Sequence, residues 1–359
     1  MTATDDFELL FERGVTDGLP VIPPTRERVD RLLAGAPGRA PGDLVGLIPP
    51  NYGRATVEKV AINAVMAGCR PEYLPVVLAA VEAVTDPAFN LHGVLTTTHY
   101  AAPLLVVNGP IGPAIGLNSG AGVFGPGFRA NATIGRALRL CLVNVGGARP
   151  GEISMSTFGH PGRYSYCIAE AEDVSPWAPL HVERGFPPEA STVTAFACEA
   201  PHGISDHASR TARDLAASLG WSMGGLWNDK HWPLYCETML VVGPEHAATF
   251  AADGWTKADL RQFLFQTIRR PYGECLPDAR GGESSILRFR PNPPSPDVLV
   301  PKFPSPEDIH VVVAGGRAGR FSCALPGWLA TRNGSRLVTR RIEAPARLDS
   351  PEGAADARG

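Results

Sequence analysis

Apolar positions along this chain recur with two spacings, and the alternation of those spacings sets the first expectations. In "RERVDRLLAG" the residues Val29, Leu32 and Leu33 fall on one helical face, with Thr25 placed to cap the start and Gly35 to stop it. Val57, Val60, Ala61, Ala64 and Val65 repeat the pattern in "RATVEKVAINAVMAG", which Gly68 closes. Pro71 opens "PEYLPVVLAAVEAVTD", apolar nearly all round and therefore expected to be a buried helix. Between such segments lie short apolar runs, "GDLVGLIPP", "PLLVVN", "STVTAFAC", "TMLVVGP" and "DIHVVVAGGRAG", which predict strands of central, largely buried sheets. Further helices are expected from Arg129 to Asn144, over "DHASRTARDLAASLG" with Ser205 as cap, and as two segments broken at Gly254.

Helices alternating with buried strands predict an α/β protein whose mixed or parallel sheets are flanked by helices. The proline-rich stretch "SPWAPLHVERGFPPEA" is the expected crossover between halves. The reading divides the chain into an N-terminal extension and helix (1–40), a first α/β half carrying a glycine-rich loop (41–175), a second half (176–335) and a flexible C-terminal tail (336–359). A faint echo between "AGCRPEYLPVVLAAV" and "ADGWTKADLRQFLFQ" raises the reading of two related halves.

Composition narrows the function classes. The 359 residues are 44% hydrophobic and 19% charged, with a net charge of -3, which argues against a nucleic-acid surface because no concentrated basic face is visible. The seven cysteines are odd in number, dispersed and free of any CxxC pair, so a cytoplasmic setting is expected and a zinc ribbon is not. The start "MTATDDFELLFERG" lacks the regions of a signal peptide, and no apolar run approaches a membrane span. A small-molecule substrate and an oligomeric assembly are the expected partners, and no cofactor is clearly implied.

The candidate chemistry centres on "GLNSGAGVFGPGFRANATIGRAL", which follows an apolar strand and opens a helix near Phe128. Glycines at a strand end let backbone amides approach a ligand, so Gly120, Gly122, Arg129, Asn131 and Thr133 are expected to hold an anionic group. The run GAGVFG spells a dinucleotide-like spacing, but Pro126 stands where the helix should open. His99 and Tyr100 precede the buried strand, and His160, Arg163 and Tyr164 share the loop "STFGHPGRYSYCIAE". His99, His160 and Tyr164 are the proton-transfer candidates, with Tyr100 and Arg163 as binding groups. Cys69, between a helix stop and Pro71, is a candidate nucleophile if helix amides lower its pKa. Each of these residue types also occurs in purely structural roles. A metal at His202 and His207 is a weaker alternative, since their spacing matches no common helical ligand pattern, and no metal site is expected.

Six stretches taken together carry a family resemblance: "DGLPVIPPT", "GRATVEKVAINAVMAGCRPEYLPVV", "LNSGAGVFGPGFRANATIGRALRL", "STFGHPGRYSYCIAE", "LVVGPEHAATFAADGWTKADLRQFL" and "HVVVAGGRAG". Over about residues 15–325 the chain resembles a bacterial family of large proteins that accompany small UGSC-motif proteins. Those small proteins carry selenocysteine or cysteine and are similar to the selenoprotein subunit of glycine and betaine reductase. The resemblance implies an enzyme, or the large subunit of one, that cleaves or forms a carbon–heteroatom bond in a small polar or anionic substrate. The nucleophilic thiol or selenol would then belong to a small partner, because this chain has no Cys-Gly-Ser-Cys of its own. A non-catalytic scaffold for such a redox protein, and a metal-dependent hydrolase or lyase, are the alternatives.

Overall fold

The computed structural model describes residues 5–226, 237–281, 291–329 and 334–345. The chain starts with two helices, α1 (Asp6–Glu12) and α2 (Arg26–Leu33). Thr25 caps α2 as its side chain predicts, accepting the Arg28 amide proton at 3.4 Å. An antiparallel pair, β1 (Leu44–Ile48) and β2 (Gly53–Thr56), leads into α3 (Val57–Ala67). Gly68 ends α3 at φ +92°, a left-handed conformation that glycine adopts without steric cost.

The helix opened by Pro71 begins as a 3-10 turn and continues as α4 (Leu74–Thr85), which is buried along nearly all its length as its uninterrupted apolar sequence requires. The short α5 (Leu91–Thr96) precedes the buried strand β3 (Ala102–Asn108), after which come α6 (Ile111–Ala114), α7 (Arg129–Asn144) and β4 (Cys167–Ala169). A short α8 (Leu180–Glu183) interrupts the proline-rich crossover before β5 (Thr192–Cys198) and β6 (His202–Ser205). The remaining elements are α9 (Ala212–Gly225), β7 (Thr238–Val242), α10 (Pro244–Ala252), α11 (Lys257–Thr267), β8 (Arg269–Pro271), β9 (Leu299–Pro301), β10 (Ile309–Val313), β11 (Phe321–Pro326) and β12 (Val338–Arg341). Among the described residues no single helix is long and apolar enough to cross a membrane.

The fold is α/β, with two four-stranded sheets ordered β12-β5-β3-β4 and β10-β7-β11-β6. In the first sheet β3 and β4 run parallel, joined through α6 and α7, and β12 lies antiparallel to β5. In the second, β7 and β10 run parallel with α10 and α11 between them in sequence, and β11 is antiparallel to β7 and β6. Parallel neighbours require such crossovers, which explains why helices flank each sheet. Each sheet is thus built from a strand, helices and two more strands, and its edge strand comes from elsewhere in the chain. β6 follows β5 in sequence but pairs in the second sheet, and β12 follows β11 but pairs in the first. The two repeating runs, 102–205 and 238–341, have the same length.

That exchange of edges explains three departures from the sequence expectations. Residues 336–359 were expected to be a flexible tail, yet Val338 to Arg341 form β12, because their backbone completes the edge of β5 with Val338 opposite Ala195. Ser205 was expected to cap a helix, yet it ends β6 opposite Phe321, and Thr211 caps α9 instead by accepting the Asp214 amide proton at 3.2 Å. The chain also forms two compact units whose boundary is not a single cut near residue 175. The first unit is Met1–Glu170, His181–Ala197 and Arg336–Gly359, and the second is Ala171–Leu180 and Cys198–Ser335. The expected N-terminal extension, 1–40, falls within the first unit. The second unit's core gathers Leu215, Leu219, Leu240, Phe250, Leu264 and Val311.

Candidate functional site

The first unit contains a cavity of about 530 Å³, lined by the α7 residue Arg139, by Ser154 and Ser156, and by His160, Arg163 and Tyr164 from the loop before β4. Three of the residues singled out by sequence therefore meet in one place. Arg163 closes a 3-10 turn (Pro161–Arg163) and is fixed there by donating to the Ala101 carbonyl at 3.2 Å and to Ser154 Oγ at 2.6 Å. Burial lowers its pKa from the usual arginine value without removing its charge at neutral pH.

Arg139 differs from Arg163 in that it has no hydrogen-bond or ion-pair partner among the described residues. Its half-buried position, and then the charge of Arg163, bring its pKa down to about 10, while Asp17 acts in the opposite sense. Asp17 also lines the cavity, but its carboxylate is engaged by Arg136, which donates to both oxygens at 2.8 Å. The net result is two guanidinium groups facing a cavity in which Asp17, the one acid among the described lining residues, is already paired with Arg136. Ser156 adds a buried hydroxyl with no hydrogen-bond partner among the described residues. Buried polar groups in folded proteins are usually satisfied, so a cavity lined by an unpartnered cation and an unpartnered hydroxyl points to a ligand that completes them.

The histidines enter with defined tautomers. His160 Nδ1 accepts the Gly162 amide proton at 3.1 Å, so the neutral ring carries its proton on Nε2. His99 Nδ1 likewise accepts the Ala101 amide proton at 3.2 Å. Thr157 ties the two loops together, donating from its amide at 2.8 Å and its hydroxyl at 3.1 Å to the Thr98 carbonyl. His99 stacks on Tyr100 at 4.6 Å, and Tyr100 meets the edge of Phe158, itself a wall of the cavity, at 5.9 Å. His99 and Tyr100 thus border the site through Phe158, whereas His160 and Tyr164 line it.

The glycine-rich loop lies elsewhere. Asn131, expected to bind substrate, is buried with its side chain fully used: its oxygen accepts the Asn118 amide proton at 2.8 Å, and its nitrogen donates to the Asn118 and Cys167 carbonyls at 2.9 and 3.2 Å. Thr133 Oγ1 donates to the Arg129 carbonyl at 2.8 Å, and the Gly120 amide donates to Asn118 Oδ1 at 2.9 Å. Gly122 supplies a turn at φ +69°. None of these residues lines the large cavity. Arg129 donates twice to the Gly68 carbonyl, at 3.1 and 2.9 Å, and borders a separate, smaller cavity together with Cys69.

The nucleophile expected at Cys69 is not activated. Its Sγ donates to the Thr133 carbonyl at 3.3 Å, and burial pushes the thiol up to about 12, so it is protonated at neutral pH. Desolvation outweighs the Thr133 bond and the Arg129 charge, which act in the opposite sense. In the second unit, His202 lies 3.7 Å from Glu199 and His207 packs edge-on against Phe321 at 5.0 Å. Among the described residues no three His, Cys, Asp or Glu side chains gather as a metal site.

Sequence reasoning missed Arg139, Ser154 and Ser156. Arg139 had a readable signal, because it interrupts the apolar run of "ALRLCLV" on a helix whose neighbours Leu138, Leu140 and Cys141 are buried. Charges in such positions are uncommon unless paired or functional. The two serines had none beyond their place in a polar loop. Comparison with protein-family models, curated proteins and solved structures gives no match, so the site is read from its own geometry.

Proposed function

We propose that this chain is an enzyme, or the large subunit of one, that holds a small organic anion in the cavity between Arg139 and Arg163. The single observation that carries this reading is the Arg139 guanidinium, which faces the cavity without a hydrogen-bond or ion-pair partner among the described residues. A carboxylate or phosphate would take both guanidinium groups as charge-assisted donors, with the Ser156 hydroxyl as a third. The His160 ring would offer Nε2–H as a donor, and Tyr164 its phenol. Such an array of donors stabilises negative charge that develops on a bound substrate.

The reaction that fits this reading is cleavage or formation of a carbon–heteroatom bond, with the thiol or selenol brought by a small partner protein. Two observations support a nucleophile from outside the chain. Burial raises the thiols of Cys69, Cys141, Cys167 and Cys323, so these four are protonated at neutral pH. The cavity wall also carries Phe158, 83% exposed, near the exposed Met155 and Ile153, an apolar rim suited to contact with a second protein. That same rim favours the second reading, a scaffold that orients a redox protein without chemistry of its own.

Titration calorimetry with inorganic phosphate, acetate and succinate tests the anion site. A charge-assisted hydrogen bond contributes about 1.5–3 kcal/mol, so Arg139→Met is expected to weaken the best of these ligands tenfold or more. Equal affinity in the wild type and the variant would overturn the site, and partner capture without any anion binding would favour the scaffold.

A further inference from the structure

The smaller cavity of the first unit, about 310 Å³, is lined by four arginines from three separate elements. Arg28 and Arg31 come from α2, Arg70 from the turn before Pro71, and Arg129 from the first residue of α7. Among the described residues no acidic side chain lines this cavity. Of the nearby acids, Asp30 on α2 and Glu58 on α3 are engaged by Arg26, at 2.8 Å each, while Glu27 and Glu72 stand outside the lining.

The four cations are not equally free. Arg129 is held by its two bonds to the Gly68 carbonyl, and Arg28 donates to the Pro23 carbonyl at 2.7 Å. Those bonds fix direction without neutralising charge. Arg31 and Arg70 have no hydrogen-bond or ion-pair partner among the described residues. Like charges gathered at one cavity repel one another, so the arrangement is stabilised by whatever anion occupies it. Fixed forks with movable ones beside them suit a ligand that presents adjacent phosphate groups, since each guanidinium offers paired N–H donors to phosphate oxygens. Behind the arginines the wall is apolar, with Leu32 and Val65 next to the protonated thiol of Cys69. A single monoanion would leave most of the positive charge unmatched.

We infer that this four-arginine cavity is a second anion site, distinct from the cavity at Arg139, and that it takes a diphosphate group, free or at the end of a small organic molecule. Arg129 and Arg139 stand ten residues apart on α7, which places them about 15 Å apart along the helix axis. The two sites can therefore be occupied and tested independently.

The experiment is calorimetric titration of the full chain at low ionic strength with inorganic pyrophosphate, inorganic phosphate and ADP. Saturable pyrophosphate binding is expected, at least tenfold tighter than that of phosphate. The double variant Arg31→Ala/Arg70→Ala should weaken it tenfold or more with an unchanged thermal melt, because both side chains are exposed and make no internal bonds. Arg139→Met should leave it unaltered, which separates this site from the one proposed above. ADP displacing pyrophosphate would support an esterified diphosphate, and pyrophosphate binding without ADP binding would support the free ion. No saturable pyrophosphate binding, phosphate binding as tightly as pyrophosphate, or indifference to the double variant would overturn the inference.

Discussion

The four-stranded sheets of the two compact units are built on the same plan, yet Arg320 of one unit and Arg139 of the other are used in opposite ways. In the second unit Arg320 is fully engaged, donating to the carbonyls of Asp206 at 3.1 Å and Ser209 at 2.8 Å and to Thr249 Oγ1 at 3.1 Å. His246, on α10, sits between Ser322 Oγ at 2.8 Å and the Asp206 carbonyl at 3.1 Å and is buried. In the first unit Arg139 is without such partners among the described residues, and the one acid among the described residues lining its cavity, Asp17, is paired with Arg136. The difference teaches that a strand-helix-strand-strand plan is neutral about chemistry. Arg320 and His246 of one unit close on neighbouring groups, while Arg139 of the other remains available to a ligand.

The largest effect that would break the comparison concerns the glycine after each central strand. Gly109 follows β3 at φ +85°, and a Cβ there would stand 2.3 Å from the Ala190 carbonyl oxygen. Gly243 follows β7 at φ -68°, and a Cβ there would stand 2.1 Å from the Phe321 carbonyl oxygen. Both substitutions to alanine force backbone apart, but only the first adds a left-handed conformation. Gly109→Ala is expected to cost about 4 kcal/mol and Gly243→Ala about 2. Urea denaturation checks this, and equal costs would show that the two turns are not constrained differently.

Next in size is the contrast between the arginines. Arg320→Ala should cost about 2 kcal/mol of stability through three lost hydrogen bonds and leave anion binding untouched. Arg139→Met should do the reverse, costing little stability while lowering anion affinity tenfold or more, about 1.4 kcal/mol. Loss of stability in both variants would show that Arg139 is as structural as Arg320.

An effect of intermediate size is expected at Asp17. Removing its charge in Asp17→Asn leaves Arg136 without its bidentate partner and takes the one opposing charge away from Arg139. Anion affinity should rise severalfold as thermal stability falls. Weaker anion binding in this variant would place the ligand away from Arg139.

The smallest expected effect is a pH slope in the second unit. Burial lowers the His246 pKa from 6.5, with the Asp206 carbonyl acting in the opposite sense and the Arg320 charge adding to the lowering. The folded state therefore binds fewer protons than the unfolded chain, so stability is full above about pH 6.5 and declines as pH falls toward the folded value. Asp206 contributes a separate loss in stronger acid. Burial alone would raise its pKa, but donors from Ser209, Ser218 and Ala208 outweigh it and hold the carboxylate well below its usual range. His246→Gln should flatten the slope below about pH 6.5 in a series of thermal melts; an unchanged slope would assign it to other groups.

Much of the secondary structure follows from local rules. Thr25, Gly68, Pro71 and the break at Gly254 mark element ends because caps, left-handed turns and missing amide protons act within a few residues. β12 was not legible in this way, because "VTRR" becomes a strand only when the edge of β5 offers it hydrogen bonds from about 145 residues earlier in the chain. The site divides along the same line. His160, Arg163 and Tyr164 share one loop, so sequence proximity alone kept them together, and Arg139 reached them through the packing of α7.

The sequence by itself determined the α/β class, the buried strands, the position of α7 and the polar character of the loop before β4, since each depends on periodicity, capping and composition read over short distances. Only the tertiary structure decided that β6 and β12 exchange sheets, that Asn131 turns inward to hold the glycine-rich loop at Asn118, and that Arg139 is left without a hydrogen-bond or ion-pair partner among the described residues. Whether a polar side chain is satisfied depends on groups that meet it across space, and no local pattern records which ones they are.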